Sequence, residues 1–408
     1  MKENVLRIGG GVVIILFVLS VIYNLKLNDF LPKPQSSSGA TVTSPTQISL
    51  IDETPANLKL APGFSMTILA EKLENPRTMM IGTNGNLWVT LTSEGEIVEI
   101  VDSDGNGKSD RVNTLVAGLD NPHGLEKRCV GEVCDIFIAE TKRLSRYEYR
   151  SNLKALVFKE KLADLPAGGR HFTRSLVFLP GSDYNKLLVS IGSSCDVCHE
   201  VNDKYGTIQV FDLKTKKLEL YAKGLRNAVF MTLHPMTGKI WVTEMGRDFL
   251  GDELPPDELN VLQKDGNFGW PNCYGQNIHD SVFDKNTYIR NPCMEPFEIP
   301  STIDLPAHSA PLGLAFIPKE GWPPAFQGDL LVSYHGSWNR SEPTGYKVMR
   351  YDFDADGKLL GMEDFLTGFL DNSGGVSGRP AGILALPNGK VYLSDDKSGK
   401  IYQINYLK

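Results

Sequence analysis

Short apolar runs separated by turn residues recur along the chain from residue 58 to residue 406. The strongest runs lie at 87–90, 136–139, 187–190, 240–243, 330–333 and 391–394. Turns rich in Pro, Asn or Gly stand before several of them, as at 83–85, 235–238 and 387–389. A repeat of about 40–50 residues with three or four strands is typical of propeller blades. We therefore predict an all-β, six-bladed β-propeller. The alternative is two β-sandwiches, which would not require the same pattern of strands and turns to recur six times.

The pattern also divides the chain. An apolar run at 8–25 is long enough to span a bilayer and lacks a small-residue cleavage site after it, which predicts an uncleaved membrane anchor within 1–31. A stretch rich in Ser, Thr, Pro and Gly predicts a flexible linker at 32–57. The propeller is predicted at 58–408, with an insertion at about 273–304 in its longest repeat.

The six cysteines form three pairs that are close in sequence. This spacing favours three disulfides, Cys129–Cys134, Cys195–Cys198 and Cys273–Cys293, over buried free thiols. Disulfides persist in oxidising compartments, so the propeller is expected to face the periplasm or the cell exterior. Cys195, Cys198 and His199 also match the C-x-x-C-H haem motif, although a short loop after a blade strand leaves little room for haem.

The predicted blades bring particular loops together. The loop before the first strand and the loop after the second strand of each hairpin lie at one edge, so both sets crowd one face of the ring. These loops carry histidines and arginines, in a chain whose net charge of −7 argues against nucleic-acid binding. The cluster predicts a site for a small anionic ligand, since Arg binds carboxylates bidentately. Ion pairs between blades, with neighbours such as Asp248, are the alternative role for the arginines.

The strings GLRNAVFMTLHP, WVTEMGRDFLGDELPPDELN, KDGNFGWP, GSSCDVC and HGSWNRSEPTGYKV resemble the pyrroloquinoline quinone (PQQ)-dependent glucose/sorbosone dehydrogenases, in particular their sorbosone-dehydrogenase-like branch. The resemblance implies a six-bladed propeller that oxidises an aldose or aldehyde-type sugar with PQQ and calcium, and passes electrons to an external acceptor. It implies His171 as general base and Arg226 beside the reactive quinone carbonyl. Asn227 and Arg379 would hold the cofactor, and the main-chain carbonyls of Gly246 and Arg247 would hold the calcium.

The chain departs from the family pattern at three positions. Ala381 stands where soluble glucose dehydrogenases carry a second arginine, and Arg247 replaces a proline. The cofactor lysine of blade five has no counterpart, which leaves His335 and Arg340 as candidates for that role. Two other functions compatible with a propeller are a calcium-dependent lactonase and a non-catalytic carbohydrate-binding module. The lactonase would need carboxylates and Asn on the axis, where this chain offers mainly Arg and His.

Overall fold

A computed structural model describes residues 54–294, 298–354 and 357–407. Within these ranges the chain is all-β, with six sheets of four or five strands and one short two-stranded sheet. Three 3-10 helices interrupt the strands, and no α-helix occurs in the part of the chain that is described. The six sheets are the blades of a propeller. The predicted six-bladed fold is therefore confirmed, and two β-sandwiches are excluded.

The strands are numbered in chain order. Two strands precede the first blade, β1 (Lys59–Leu60) and β2 (Phe64–Ala70). Blades one to three contain β3 (Pro76–Ile81), β4 (Leu87–Leu91), β5 (Glu96–Val101), β6 (Arg111–Val116), β7 (Gly124–Val130), β8 (Val133–Ala139), β9 (Arg143–Arg150), β10 (Ala155–Asp164), β11 (Leu176–Phe178), β12 (Lys186–Ile191), β13 (Thr207–Asp212) and β14 (Lys217–Lys223).

The second half of the ring follows the same order. Blade four, the insertion and blades five and six contain β15 (Ala228–Leu233), β16 (Ile240–Glu244), β17 (Asp257–Val261), β19 (Cys273–Tyr274), β20 (Ile278–His279), β21 (Ile303–Leu305), β22 (Pro311–Phe316), β23 (Leu330–Tyr334), β24 (Lys347–Phe353), β25 (Leu359–Thr367), β26 (Pro380–Ala385), β27 (Lys390–Asp395) and β28 (Lys400–Tyr406). The short strand β18 (Gly266–Asn267) pairs with β14 and is the fifth strand of blade three. The 3-10 helices span Gly181–Asp183, Pro292–Met294 and Pro324–Phe326.

Each of the six apolar runs predicted from the sequence lies in the second strand of a blade. In β4, β16 and β23 every residue is buried. A second strand has sheet neighbours on both edges and adjacent blades against both faces, so apolar and β-branched side chains suit all of its positions. The first strands of the blades line an axial cavity, to which all six blades contribute.

The register of the hairpins places the loops. Pro76 of β3 pairs with Leu91 of β4, and Ala228 of β15 pairs with Glu244 of β16. In an antiparallel pair, residues opposite each other lie at the same edge. The loops before the first strands and after the second strands therefore meet on one side of the ring, which we call the site face.

The ring is closed by the N-terminal strand. β2 forms the fourth strand of blade six, where Phe64 pairs with Tyr406 of β28, and β1 pairs with β25 of blade five. The sequence pattern did not predict this closure. Nonlocal pairing of the two ends fixes the first and last blades to each other, because neither end can leave without breaking a ladder.

The structure joins Cys129–Cys134, Cys195–Cys198 and Cys273–Cys293. The last of these closes the insertion, which contains the hairpin of β19 and β20. The predicted anchor at 8–25 lies outside the described residues, as does most of the predicted linker. Among the residues that are described, no helix has the length and apolar character needed to cross a membrane.

Candidate functional site

His171 lies on the site face, in the loop before β11. Its Nδ1 is 3.0 Å from the main-chain oxygen of Ser193 and 3.1 Å from the Ser193 hydroxyl. A carbonyl oxygen only accepts hydrogen bonds, so we assign the proton to Nδ1, which leaves the lone pair on Nε2. The ring is therefore held in the tautomer in which Nε2 is a base.

The surroundings of His171 keep it neutral. Burial is the main cause that lowers its pKa to about 3, and the nearby Arg226 and Arg170 add to the effect. The Ser193 carbonyl opposes the shift, but it does not offset burial. His171 is thus uncharged throughout the physiological pH range, which is the state that a general base requires.

A buried arginine supports the His171 loop from below. Arg174 is fully buried, and its guanidinium donates to the carbonyls of His171 at 3.1 Å, Thr173 at 2.8 Å and Pro166 at 2.8 Å. Burial lowers the pKa of Arg174 to about 10, which still leaves it charged. Sequence reasoning placed Arg174 on the site face but gave it no role, because a brace of this kind depends on loop conformation.

Asn227 lies next to His171, with Gly192 between them. A Cβ atom on Gly192 would come within 2.6 Å of the His171 Cβ and 2.7 Å of the Asn227 Oδ1. Contacts this short do not occur between real side chains, so glycine is needed at this position. The structure thereby brings two predicted site residues into one contact group, although they come from different blades.

Arg226 is almost fully enclosed by acceptors. Its Nε donates to the Asp196 carbonyl at 2.9 Å, and its Nη2 is 2.7 Å from the Asp196 carboxylate and 3.4 Å from that of Asp248. Its Nη1 donates to the Met245 carbonyl at 3.1 Å. Asp196 lies inside the loop closed by Cys195–Cys198, so this disulfide frames the group that positions Arg226.

Asp248 connects Arg226 to the neighbouring loops. It also pairs with Arg170 at 3.2 Å and accepts from Asn339 Nδ2 at 3.1 Å. The interblade ion pairs considered as an alternative from the sequence are therefore present at Arg226. They are compatible with a site role, because two carboxylates hold the guanidinium in one orientation.

Arg379 differs from Arg226. Its Nη2 donates to the Tyr346 hydroxyl at 3.2 Å and lies 3.5 Å from the Ser337 carbonyl, and its Nη1 is 3.4 Å from His335 Nδ1. Within the described residues, no carboxylate forms an ion pair with this guanidinium. Arg379 is therefore a candidate partner for the carboxylate of a ligand.

His335 supports Arg379 from behind. Its Nε2 is 2.9 Å from the Asp396 carboxylate, which also pairs with Arg77 at 2.6 Å. Because Nε2 carries the proton and donates it in a hydrogen bond to the carboxylate, Nδ1 is left to accept a hydrogen bond from Arg379. Burial lowers the pKa of His335, although Asp396 opposes this shift. Both ring nitrogens of His335 are thus used within the protein.

Gly246 and Arg247, the predicted calcium-binding pair, follow β16. The Gly246 amide donates to the buried Asp257 at 2.9 Å, and the Arg247 side chain pairs with the buried Asp280 at 2.8 Å. Asp280 belongs to the insertion, so the side chain that replaces the family proline is tied to a separate carboxylate. Carbonyl oxygens are hard donors that suit Ca²⁺, and the ion pair neutralises the Arg247 charge nearby. The role of these two carbonyls as calcium ligands stays a prediction.

Arg340 lies at the rim of the site face. It donates to the carbonyl oxygens of Asp252 and Ala307 and pairs with the exposed Glu253 at 2.8 Å. Its guanidinium is thereby used to fasten one rim loop to another, and the structure brings it together with the 252–253 segment.

Other metal and haem sites find little support. The described residues contain two groups of three His, Cys, Asp or Glu side chains that are close enough to hold an ion, and both include disulfide-bonded cysteines. Cysteines bonded to each other have no thiols for thioether links to haem or for zinc.

The chain is thus a six-bladed propeller that carries a neutral histidine, His171, and two arginines, Arg226 and Arg379, on its site face. A family model described as TrAA12-like matches residues 58–407, and the chain belongs to this family. The family resemblance inferred from the sequence is confirmed. An uncharacterized protein of Borreliella burgdorferi is 32% identical over 368 residues, which cover 88% of this chain and 93% of that protein.

Relatives with a described activity are more distant. A pyrroloquinoline quinone-dependent pyranose dehydrogenase of Coprinopsis cinerea is 23% identical over 86% of this chain, which spans only 55% of that protein. The calcium structure of Trichoderma reesei Carbohydrate-Active Enzymes Family AA12 superposes with a TM-score of 0.74 at 21% identity, over 88% of this chain and 99% of that chain. The holo PQQ domain of the Coprinopsis cinerea pyranose dehydrogenase gives a TM-score of 0.68 at 22% identity, over 85% and 97% of the two chains. At these identities the structures support the fold.

Proposed function

We propose that this protein is a PQQ- and calcium-dependent dehydrogenase that oxidises an aldose or aldehyde-type sugar. The observation that carries the proposal is His171, a neutral histidine whose Nδ1 proton is donated to Ser193, which leaves the lone pair on Nε2, and whose pKa is lowered in part by the nearby Arg226. Membership in the TrAA12-like family and the activity of the Coprinopsis cinerea relative support it.

Different residues would bind the carboxylate of the cofactor, its ring and the calcium ion. Arg379, which has no carboxylate partner among the described residues, would hold a carboxylate of the cofactor, with His335 keeping its guanidinium in place. Asn227 and Arg226 would hold the ring, and the carbonyls of Gly246 and Arg247 would hold calcium. Arg340, whose donors fasten the rim loops, would contribute through the shape of the rim.

When bound, PQQ is a two-electron acceptor that takes a hydride from carbon. His171 Nε2 would accept the proton of the sugar hydroxyl whose carbon loses that hydride, so that the C–O bond becomes a carbonyl. The imidazolium that forms would be stabilised by its Nδ1 hydrogen bond to the Ser193 carbonyl. Arg226, fixed by Asp196 and Asp248, would place its charge where an oxyanion develops.

The disulfides bear on where the protein works and on where its electrons go. Three disulfides support a propeller that works outside the cytoplasm, in the periplasm or the cell exterior. Electrons would then leave to an external acceptor. The membrane anchor at 8–25 stays a prediction from the sequence.

The test is to add PQQ and CaCl₂ to the purified full chain and to follow the reduction of an artificial electron-accepting dye with a panel of aldoses. We expect dye reduction that requires both additions. Hydrolysis of a lactone panel without dye reduction would favour the lactonase. Sugar binding by calorimetry without either reaction would favour the binding module.

A further inference from the structure

Two large aromatic side chains are exposed together at the rim of the site face. Phe249 is 67% exposed and Trp338 is 57% exposed. Their rings contact edge to face, with centroids 5.7 Å apart and planes at 88°. Phe249 follows β16 of blade four and Trp338 follows β23 of blade five, so the pair bridges two blades. An edge-to-face contact fixes the direction in which each ring points.

The residues next to the pair in sequence contact the two arginines of the site. Asp248, which precedes Phe249, pairs with Arg226. Ser337, which precedes Trp338, lies with its carbonyl 3.5 Å from Arg379 Nη2. Asn339, which follows Trp338, donates to Asp248 at 3.1 Å. Each ring is therefore one residue away from a group that contacts the candidate site.

The backbone under Phe249 is held in an unfavourable conformation. Its φ is 66°, in the left-handed region that bulky side chains seldom occupy. The loop is held there because the Gly251 carbonyl lies 2.9 Å from His308 Nε2, and Asp252 accepts from the Ser341 amide at 3.1 Å. A strained residue that persists on a braced loop is a reason to look for a function.

The chemistry around the rings fits a sugar. A pyranose has one face of C–H groups, which packs on an aromatic ring, and a periphery of hydroxyls, which need hydrogen-bond partners. The rings supply the first, and the exposed carboxylate of Glu253, which pairs with Arg340 through one oxygen, supplies acceptors for the second. Exposed aromatic rings on two loops that also carry a carboxylate and a guanidinium, Glu253 and Arg340, suit a polyhydroxylated ligand better than a wholly apolar one.

We propose that Phe249 and Trp338 form a saccharide subsite that binds the sugar unit next to the one being oxidised. The inference rests on the proposed dehydrogenase function, and it extends the substrate class from monosaccharides to oligosaccharides with a free reducing end. Trp338 is the principal stacking surface, and Phe249 orients it. The subsite needs neither PQQ nor calcium, since its contacts come from the protein alone.

The test is calorimetric titration of the full chain, without PQQ, with glucose, cellotriose and maltotriose. At least one trisaccharide is expected to bind about tenfold or more tightly than glucose, and Trp338→Ala is expected to remove that advantage. Trp338→Phe should keep the affinity within about threefold of the original, because it retains a ring. Phe158→Ala removes a comparably exposed aromatic from β10 of blade two and serves as the matched control, with unchanged affinity expected.

The outcomes separate this inference from the proposed function. Trisaccharide binding that depends on Trp338 in a protein that reduces no dye keeps the subsite and overturns the dehydrogenase. Dye reduction with trisaccharides no better bound than glucose, or unaltered by Trp338→Ala, overturns the subsite and leaves the dehydrogenase intact. Equal losses in Trp338→Ala and Phe158→Ala also overturn it, because a local contact cannot explain them.

Discussion

The two sides of the site face handle charge in different ways. The catalytic side, around His171 and Arg226, sets two arginines against two buried or partly buried aspartates, Asp196 and Asp248. The anion side, around Arg379 and His335, sets two arginines against the single carboxylate of Asp396. The catalytic side is therefore balanced and rigid, whereas the anion side keeps one positive charge for a ligand.

Under the proposed function, this difference would let one face bind an anion and still carry a neutral base. A positive charge that is paired within the protein orients a transition state without attracting water or ions to it. An unpaired guanidinium next to Tyr346 and His335 attracts a carboxylate, since forked N–H groups match its geometry. Removing residues from each side should thus produce losses of different kinds.

The largest effect is expected on the catalytic side. His171→Ala should lower kcat by about one hundred- to ten thousand-fold, because no other group would accept the hydroxyl proton. PQQ affinity should change little, as measured by calorimetric titration. His199→Ala, an exposed histidine beside the Cys195–Cys198 loop, is the control and should retain kcat within about twofold. An equal loss in both variants would contradict the assignment of His171.

Arg226→Ala should be the most destabilising of the arginine substitutions. It removes the ion-pair partner of Asp196 and one of the two ion-pair partners of Asp248, the other being Arg170, and breaking a buried ion pair costs about 3–5 kcal/mol. Arg379→Ala, which loses bonds to neutral acceptors, should cost about 1 kcal/mol. Denaturant unfolding of the protein without cofactor measures both, and Arg150→Ala at the surface sets the baseline. Equal destabilisation by Arg226→Ala and Arg379→Ala would remove the distinction between the two sides.

Arg379 should affect the affinity for PQQ more than it affects kcat. Arg379→Ala is expected to weaken PQQ binding by about 1.5–3 kcal/mol, the range for a hydrogen bond to a charged group, while kcat at saturating PQQ is largely kept. Arg379→Lys should recover only part of the affinity, because an ammonium cannot form a bidentate pair. A fall in kcat with unchanged PQQ affinity would place Arg379 on the catalytic side instead.

The smallest expected effect is a change with pH in the free energy of unfolding, and it comes from the axial cavity. It distinguishes the pH dependence of folding from that of the site. Burial raises the pKa of Glu126, which lines this cavity, to about 7. As the pH rises from about 5 to 8, the unfolded chain loses this proton before the folded chain does, so stability falls. Allowing for water in the cavity, we expect a decrease of about 1–2 kcal/mol. Burial also raises the pKa values of Glu244, Asp257 and Glu258, so Glu126→Gln should reduce this slope without removing it in unfolding measured at several pH values, and an unchanged slope would exclude a contribution from Glu126.

The fold could be predicted because each blade repeats a local signal. Six buried second strands, each with a turn before it, are visible in the sequence as apolar runs. The closure of the ring by β2 could not be predicted, since Phe64 and Tyr406 are at opposite ends of the chain and nothing local marks their pairing.

The sequence supplied the candidate residues of the site but not their contacts. The loop positions indicated that His171, Arg226 and Arg379 would share a face, and register in the hairpins explains why. The hydrogen bond of His171 to Ser193 and the support from Arg174 depend on loop conformation, which residue type does not specify. Asp196 and Asp248 lie in loops that follow second strands, on the same predicted face as Arg226. Their acidic character was the signal in the sequence for the ion pairs that they form with Arg226.

The central claim is that the site face is a PQQ-dependent redox centre with His171 as its base. The most direct measurement is a PQQ titration of the calcium-loaded full chain, with calorimetry as the readout of binding and dye reduction by an aldose as the readout of activity, in the original protein and in His171→Ala. The account predicts saturation at about one PQQ per chain, with activity in the original protein and almost none in a His171→Ala variant that still binds PQQ. Equal activity in both proteins, or no PQQ-dependent activity with any aldose, would contradict it.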